Sequence, residues 1–343
     1  MGVRGNIICF AVGVVALICC FAALLFTGTI SIPAGEIWDT IFSPARATDT
    51  LNVIVWETRF PMAVAALCCG AMLSVAGLMM QTFFQNPLAG PSVLGISSGA
   101  SFGVAILMLG ASGLGGTLSG WAGPLTSILA SFAGGAITIF ILYLFSSVFK
   151  SATTLLIVGL MLSYLFSSGI SLLNYFSKAD EIRSYLVWGL GSFTGLRFNS
   201  AMWLLVCSIV VELPVLLMIK PLNALLLGEK YVESIGYSMN RVRGTVLLTT
   251  GILVAIPTAF CGPIGFIGLI VPHICRLIFR TSNHLVLVPA CILFGSVIAL
   301  LCALLGVLPA ENFGVLPVNI ITPLIGVPVI LFLLTNRKRN LYF

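Results

Sequence analysis

Arg59–Ser101 reads RFPMAVAALCCGAMLSVAGLMMQTFFQNPLAGPSVLGISSGAS. A basic, proline-marked start (Arg59, Pro61) leads into an apolar run of about 22 residues, and about 20 suffice to cross a bilayer. A polar break follows, with Gln81, Gln85, Asn86, Pro87, Gly90 and Pro91. A second apolar segment then opens on Gly95, Ser97, Ser98, Gly99 and Ser101. In the first segment Ala66, Gly70, Ser74, Gly77 and Gln81 recur at steps of three and four, which places them on one helix face. Small residues on such a face let a neighbouring helix approach closely. The alternative is that the polar end of the stripe, Gln81, borders a passage.

The rest of the chain repeats this pattern. Of 343 residues 59% are hydrophobic and 8% charged, against about 25% charged in soluble domains. The apolar runs are too many and too long for one soluble core, and a β-barrel would show short alternating segments instead. The expected fold is an all-α polytopic membrane protein of about ten transmembrane helices, forming one transmembrane domain over residues 1–343. The net charge of +6 calls for no nucleic-acid partner. All ten cysteines lie in or beside apolar runs without a C-x-x-C pair, which reads as packing rather than disulfides or metal ligation. Two histidines make a histidine-rich metal site unexpected.

In chain order, a first span covers about 7–28, too long for a removable signal peptide, and no myristoylation signal follows Met1. A polar loop is expected over about 29–58, with tryptophans at its margins. The quoted stretch supplies spans two and three, extending to about Gly110. A glycine-rich loop leads to a fourth span of about 124–146. The fifth, about 154–176, carries a second stripe, Gly159, Ser163, Ser167, Ser171 and Asn174, for which helix packing and a pathway lining are both open. A polar segment (178–199) precedes a sixth span of about 200–219, in which Glu212 is an intramembrane acid with Lys220 as its nearest candidate partner. The charged loop 220–243 is expected to hold one or two short surface helices broken near Gly228 and Gly236. Spans at about 244–261, 264–279, 285–306 and 318–335 complete the chain.

Ten spans put both termini on one side. That side collects Arg4, Lys150, Lys220, Lys230, Arg241, Arg243, Arg276, Arg280, Arg337, Lys338 and Arg339; most acids fall on the other. The excess of cations marks the cytoplasm. The breaks at Gly90-Pro91 and Gly262-Pro263 fall on opposite faces in this arrangement, as inverted halves of a transporter would have them.

Gly95-Ile-Ser-Ser-Gly99 matches G-x-S-x-G, which would make Ser97 a nucleophile only after a strand and with a histidine such as His273 to serve it. The surrounding sequence is that of membrane helices. The chain contains no phosphate-binding G-x-x-x-x-G-K-[ST], so any ATP hydrolysis belongs to another subunit. A secondary carrier would need ionisable groups along its path, and only Glu212 qualifies.

Three longer motifs then resemble one family. Arg59-x-Pro61 with Gly70, Gly77, Gln81 and Asn86-Pro87-Leu88-Ala89-x-Pro91-x-x-Leu94-Gly95-x-Ser97-x-Gly99-Ala100 is similar to the signature of iron-siderophore, haem and vitamin B12 ABC importer permeases, the FecCD type. Leu222-Asn223-x-Leu225-x-Leu227-Gly228-Glu229 with Gly236, Gly262–Arg276, and Pro309-Ala310-Glu311 continue the match. The resemblance implies a vitamin B12 permease-like fold of ten helices, a homodimer with a path at its interface, two cytoplasmic ABC ATPase subunits and an extracytoplasmic substrate-binding protein. It implies a bacterial cytoplasmic (inner) membrane location and no cofactor. It assigns Asn86 and Leu88 with Ser151, Thr153 and Thr154 to a cytoplasmic gate, and the fifth span, whose stripe Gly159–Asn174 would line the pathway, together with Trp188–Arg197 to the outer gate. It assigns Leu225, Gly228, Glu229 and Gly236 to the ATPase coupling loop, and Arg59 to binding-protein docking. The implied cargo is a ferric siderophore, with haem or cobalamin as alternatives. The chain departs from the family's pattern at Met62, Leu300 and Leu304, where relatives carry charges.

Overall fold

The computed structural model describes residues 3–43, 48–113, 124–149, 151–308 and 314–335. The motif Pro309–Glu311, most of the glycine-rich loop, Arg46, Lys150 and the basic end Arg337–Arg339 lie outside the described residues. Those described form helices and turns without a strand. The helices are α1 (Val3–Phe26), α2 (Ala34–Phe42), α3 (Asp49–Asn52), α4 (Phe60–Phe83), α5 (Ile96–Gly113), α6 (Pro124–Val148), α7 (Ala152–Phe176) and α8 (Ala179–Gly189). They continue with α9 (Phe198–Leu217), α10 (Ile219–Leu225), α11 (Glu229–Ser234), α12 (Met239–Cys261), α13 (Ile267–Phe279), α14 (His284–Val307) and α15 (Val318–Thr335). Among the described residues seven helices are long and apolar enough to cross a membrane. The shorter apolar helices α5, α13 and α15 complete the ten spans expected.

Two expected loops are helical. The 29–58 stretch holds α2, α3 and a wide π turn (Val53–Arg59) that runs straight into α4. The 178–199 segment contains α8, whose start pairs the Lys178 backbone N–H with the Glu181 carboxylate. Both stretches carry charges that broke the apolar pattern, yet a helix needs only one side covered.

α4 is the axis of the fold, enclosed by α14, α13, α12, α9 and α1. Its small-residue stripe is what admits the neighbours. A Cβ on Gly70 would collide with the Gly295 carbonyl of α14, and one on Gly77 with the Gly268 backbone of α13. Ser74 donates to the Cys291 carbonyl at 2.6 Å, and Ser296 donates back to Leu67 O at 2.9 Å. Gln81 is buried, not on a passage: its Nε2 donates to Leu269 O at 3.1 Å and its Oε1 accepts from Arg276 Nη1 at 2.5 Å. The stripe therefore packs helices along its whole length. In a second group, α5, α6 and α7, α5 crosses α6 so closely that a Cβ on Gly99, Gly103 or Gly134 would run into the facing backbone. The G-x-S-x-G match is explained by this crossing: a 3-10 turn (Pro91–Leu94), not a strand, precedes it, and Gly99 serves backbone contact.

Met62 and Leu300 are core residues and Leu304 packs against the core, so all three positions serve apolar packing.

Candidate functional site: a docking segment, a gate loop and an open helix face

The charged segment after α9 folds into α10 and α11. Gly228 (φ +103°) precedes α11 and Gly236 (φ +90°) ends the turn after it, backbone conformations that a side chain would strain. One side of this pair is anchored: Leu222, Ala224, Leu225 and Val232 are buried. The other side presents Leu227, Tyr231, Ile235 and Tyr237 to solvent, between Lys230 and Glu233. Glu229 sits on the rim and pairs with Arg243 at 3.2 Å, whose buried guanidinium also faces Phe149 O. Of the predicted coupling residues, Gly228 and Gly236 shape the segment, Glu229 holds α11 to α12, and Leu225 is buried rather than presented outward.

The residues expected at a gate fall on the loop after α4 and at the start of α7. Asn86 Oδ1 accepts from Leu88 N at 3.0 Å, fixing a tight turn that leaves Leu88 exposed. Gln85, at φ +47°, reaches across and donates to Leu225 O at 2.9 Å. Ser151 caps α7, accepting from Thr154 N, and Thr153 is exposed. What joins the loop to α7 is Gly95, packed on Gly159 O and Ser163.

The stripe on α7 is divided. Gly159 and Ser163 pack inward, and Ser163 donates to Gly159 O at 3.0 Å. Ser167 and Ser171 are exposed among Met161, Tyr164, Leu165 and Tyr175. The Oδ1 of Asn174 is shielded and has no hydrogen-bond partner among the described residues.

The two proline-marked breaks, expected on opposite faces, meet. Pro91 rests against Gly268, and both segments line a recess of about 360 Å³ with Ser92, Ser97, Pro263, Phe266 and Asn319. They meet because α13 begins beside Gly77, well inside α4's length, so the second break turns back into the bundle. Asn319 holds that turn: it accepts from Gly265 N at 3.0 Å and donates to Pro263 O at 2.6 Å. Sequence reading missed Asn319, since its partners lie more than fifty positions away. His273 is not among the residues lining this recess beside Ser97.

At the far end Arg59 is turned inward. Its Nη1 donates to Leu25 O and Phe26 O, and its Nη2 to Ile30 O, at 2.8–3.1 Å. It neutralises the C-terminal carbonyls of α1 and is 3% exposed, so it offers no free guanidinium to a soluble partner. Glu57 nearby accepts from Phe198 N at the start of α9. In α9 the partner of Glu212 is Ser208, one turn back, rather than Lys220. On α8, burial pushes the Tyr185 phenol up to about 12, and it packs on Val104, Ala105 and Leu109.

A bundle of apolar helices, seven of them among the described residues long enough to cross a membrane, with an anchored, glycine-bounded surface segment at one end is the arrangement of a transporter permease subunit. The profile of the FecCD transport family matches residues 15–336, and the chain belongs to that family: it is the permease subunit of an ABC importer. It is 37% identical to the vitamin B12 import system permease protein BtuC of Klebsiella pneumoniae over 316 residues, 92% of each chain. It is 35% identical to BtuC of Shigella boydii over 327 residues, 94% of this chain and 95% of that one. Among solved structures, a chain of an inward-facing metal-chelate type ABC transporter superposes with TM-score 0.81 at 28% identity, covering 95% of this chain and 97% of the other. PsaBC from Streptococcus pneumoniae, at 14% identity and TM-score 0.52, shares the fold alone.

Proposed function

We propose that this permease imports a bulky metal chelate, a cobalamin or a ferric siderophore, working as a homodimer in the bacterial cytoplasmic membrane. Two ATPase subunits dock on α10 and α11, and a binding protein delivers cargo at the opposite end. Both termini are cytoplasmic, on the side of the docking segment. The observation that carries the coupling part is the exposed apolar and aromatic patch Leu227, Tyr231, Ile235 and Tyr237 on a charged surface segment. Exposed apolar clusters rimmed by charge mark protein contacts. Relatives that import vitamin B12 support cobalamin; the metal-chelate type neighbour supports the wider class.

The path runs between the two copies along the open face of α7, where Ser167 and Ser171 interrupt an apolar surface and Asn174 stands at the outer end. Serines without charges give a weakly polar lining, suited to a large chelate selected elsewhere. Asn86 and Leu88 close the cytoplasmic end with Ser151–Thr154. ATP binding draws the ATPases together, shifts α10 and α11, and tilts the helices about the path.

The test is uptake by cells holding this chain with its ATPase and binding protein, offered labelled cyanocobalamin, ferric hydroxamate siderophore and haem in parallel. One cargo is expected to accumulate only when the chain is present and the ATPase active. Uptake that survives an inactive ATPase would establish a secondary carrier instead, and no uptake by an assembled complex would remove this cargo class.

A further inference from the structure

Two polar links tie the docking segment to the inner end of α4. The first runs through His284, which is 1% exposed at the start of α14. Asn223 of α10 presents Oδ1 to both the His284 backbone N–H, at 2.9 Å, and the ring Nδ1, at 2.8 Å. Its Nδ2 donates to Asn283 Oδ1 at 2.9 Å, so the amide can point only one way. An oxygen that already receives a backbone N–H accepts from Nδ1 as well, and this assigns the ring proton to Nδ1. Nε2 is then an acceptor, and the buried Thr82 hydroxyl, 2.8 Å from it on the last turn of α4, donates its single proton there in competition with Leu78 O at 2.9 Å. The second link is the bond from Gln85 Nε2 to Leu225 O.

Both links start on α10, at Asn223 and Leu225, and end within four residues of each other, at Thr82 and Gln85. The loop with Asn86 and Leu88 begins at the next residue. Apolar contacts between helices can slide, whereas short directional bonds at two points resist both sliding and rotation. We infer that the Asn223–His284–Thr82 relay and the Gln85–Leu225 bond join α10 and the inner end of α4 into one body, so that displacement of the docking segment reaches the gate loop. The inference rests on reading α10 and α11 as the ATPase-docking surface. Thr82, His284 and Gln85 are positioning residues: they act through the loop that follows them.

The test uses the full chain purified with its ATPase in lipid nanodiscs. Leu88→Cys reports the loop through its rate of maleimide labelling, with labelling of the parent chain's own cysteines subtracted. Nucleotide with vanadate is expected to change that rate about fivefold or more, within the usual range of coupling between sites. Thr82→Val with Gln85→Ala is expected to cut the response to less than about twofold while the ATPase still co-purifies. Thr82→Ser, which keeps the hydroxyl, restores it. Ser74→Ala serves as the structural control, because it also deletes a buried α4–α14 bond but lies away from α10. It is expected to lower the melting temperature and leave the response intact. A double variant that responds like Leu88→Cys alone overturns the inference, as does an equal loss in Ser74→Ala or an unresponsive Leu88→Cys. If the ATPase fails to co-purify with the unaltered chain, the docking reading itself falls.

Discussion

α4 and α7 are membrane helices of nearly equal length and hydropathy: mean hydropathy is 2.1 for the span ending in α4 and 2.0 for α7. Each carries a stripe of small and polar residues at helical spacing. α4 is buried on every side, and its stripe is filled by the backbones of α13 and α14. α7 buries only the first part of its stripe, and presents Ser167 and Ser171 among exposed apolar side chains. The same pattern therefore serves two ends. Where partners meet it, small residues permit backbone contact and their hydroxyls find carbonyls, as Ser74 does at Cys291. Where no partner meets it within the chain, it forms a face that a second copy and a cargo can share.

The largest expected effect comes from filling the α4 stripe. Gly77→Leu drives a side chain into the Gly268 backbone, and overpacking of this kind costs about 3 kcal/mol or more. The variant should fail to give a monodisperse peak in detergent. If it were as stable as the parent, α4 would not be the tightly enclosed axis described here. Gln81→Leu removes the acceptor for Arg276 and the donor to Leu269 O, at a cost of about 2 kcal/mol. Thermal unfolding checks it, with Gln81→Glu as the variant that keeps an acceptor.

On α7 the order of effects reverses. Asn174→Leu removes a shielded carbonyl oxygen that has no partner among the described residues, and stability should hold or rise by about 1 kcal/mol. Uptake should fall, which would separate a pathway role from a packing one. Ser171→Leu should change stability least, by less than about 0.5 kcal/mol, since the residue is exposed within one copy. Its uptake should still drop several-fold. A destabilised Ser171→Leu with normal uptake would place α7 in packing, as α4 is.

Much of the fold was legible because its signals are local. Ten apolar runs and the glycines at 228 and 236 each announce themselves within a few residues. The site was legible in parts. Asn86, Leu88 and Gly159 stand where a loop and a close contact need them. Arg59 was read as an outward charge, because nothing near it shows that the end of α1 returns to cap on it. Asn223, His284 and Gln85 were visible as polar residues, but their bonds span 61 to 202 positions. Asn319 gave no signal beyond being an asparagine at a helix start.

The amino-acid sequence by itself determined that the chain lives in a membrane and that it does so as a bundle of apolar helices. These follow from transfer free energies summed over each run of residues. Only the tertiary structure decided which small-residue stripe is filled and which is open, that Gln81 and Arg59 face inward, and that the two breaks meet. Lipid is as apolar as a leucine side chain, so hydrophobicity does not choose partners among membrane helices. Close packing and hydrogen bonds between distant residues make that choice, and they exist only once the helices are assembled.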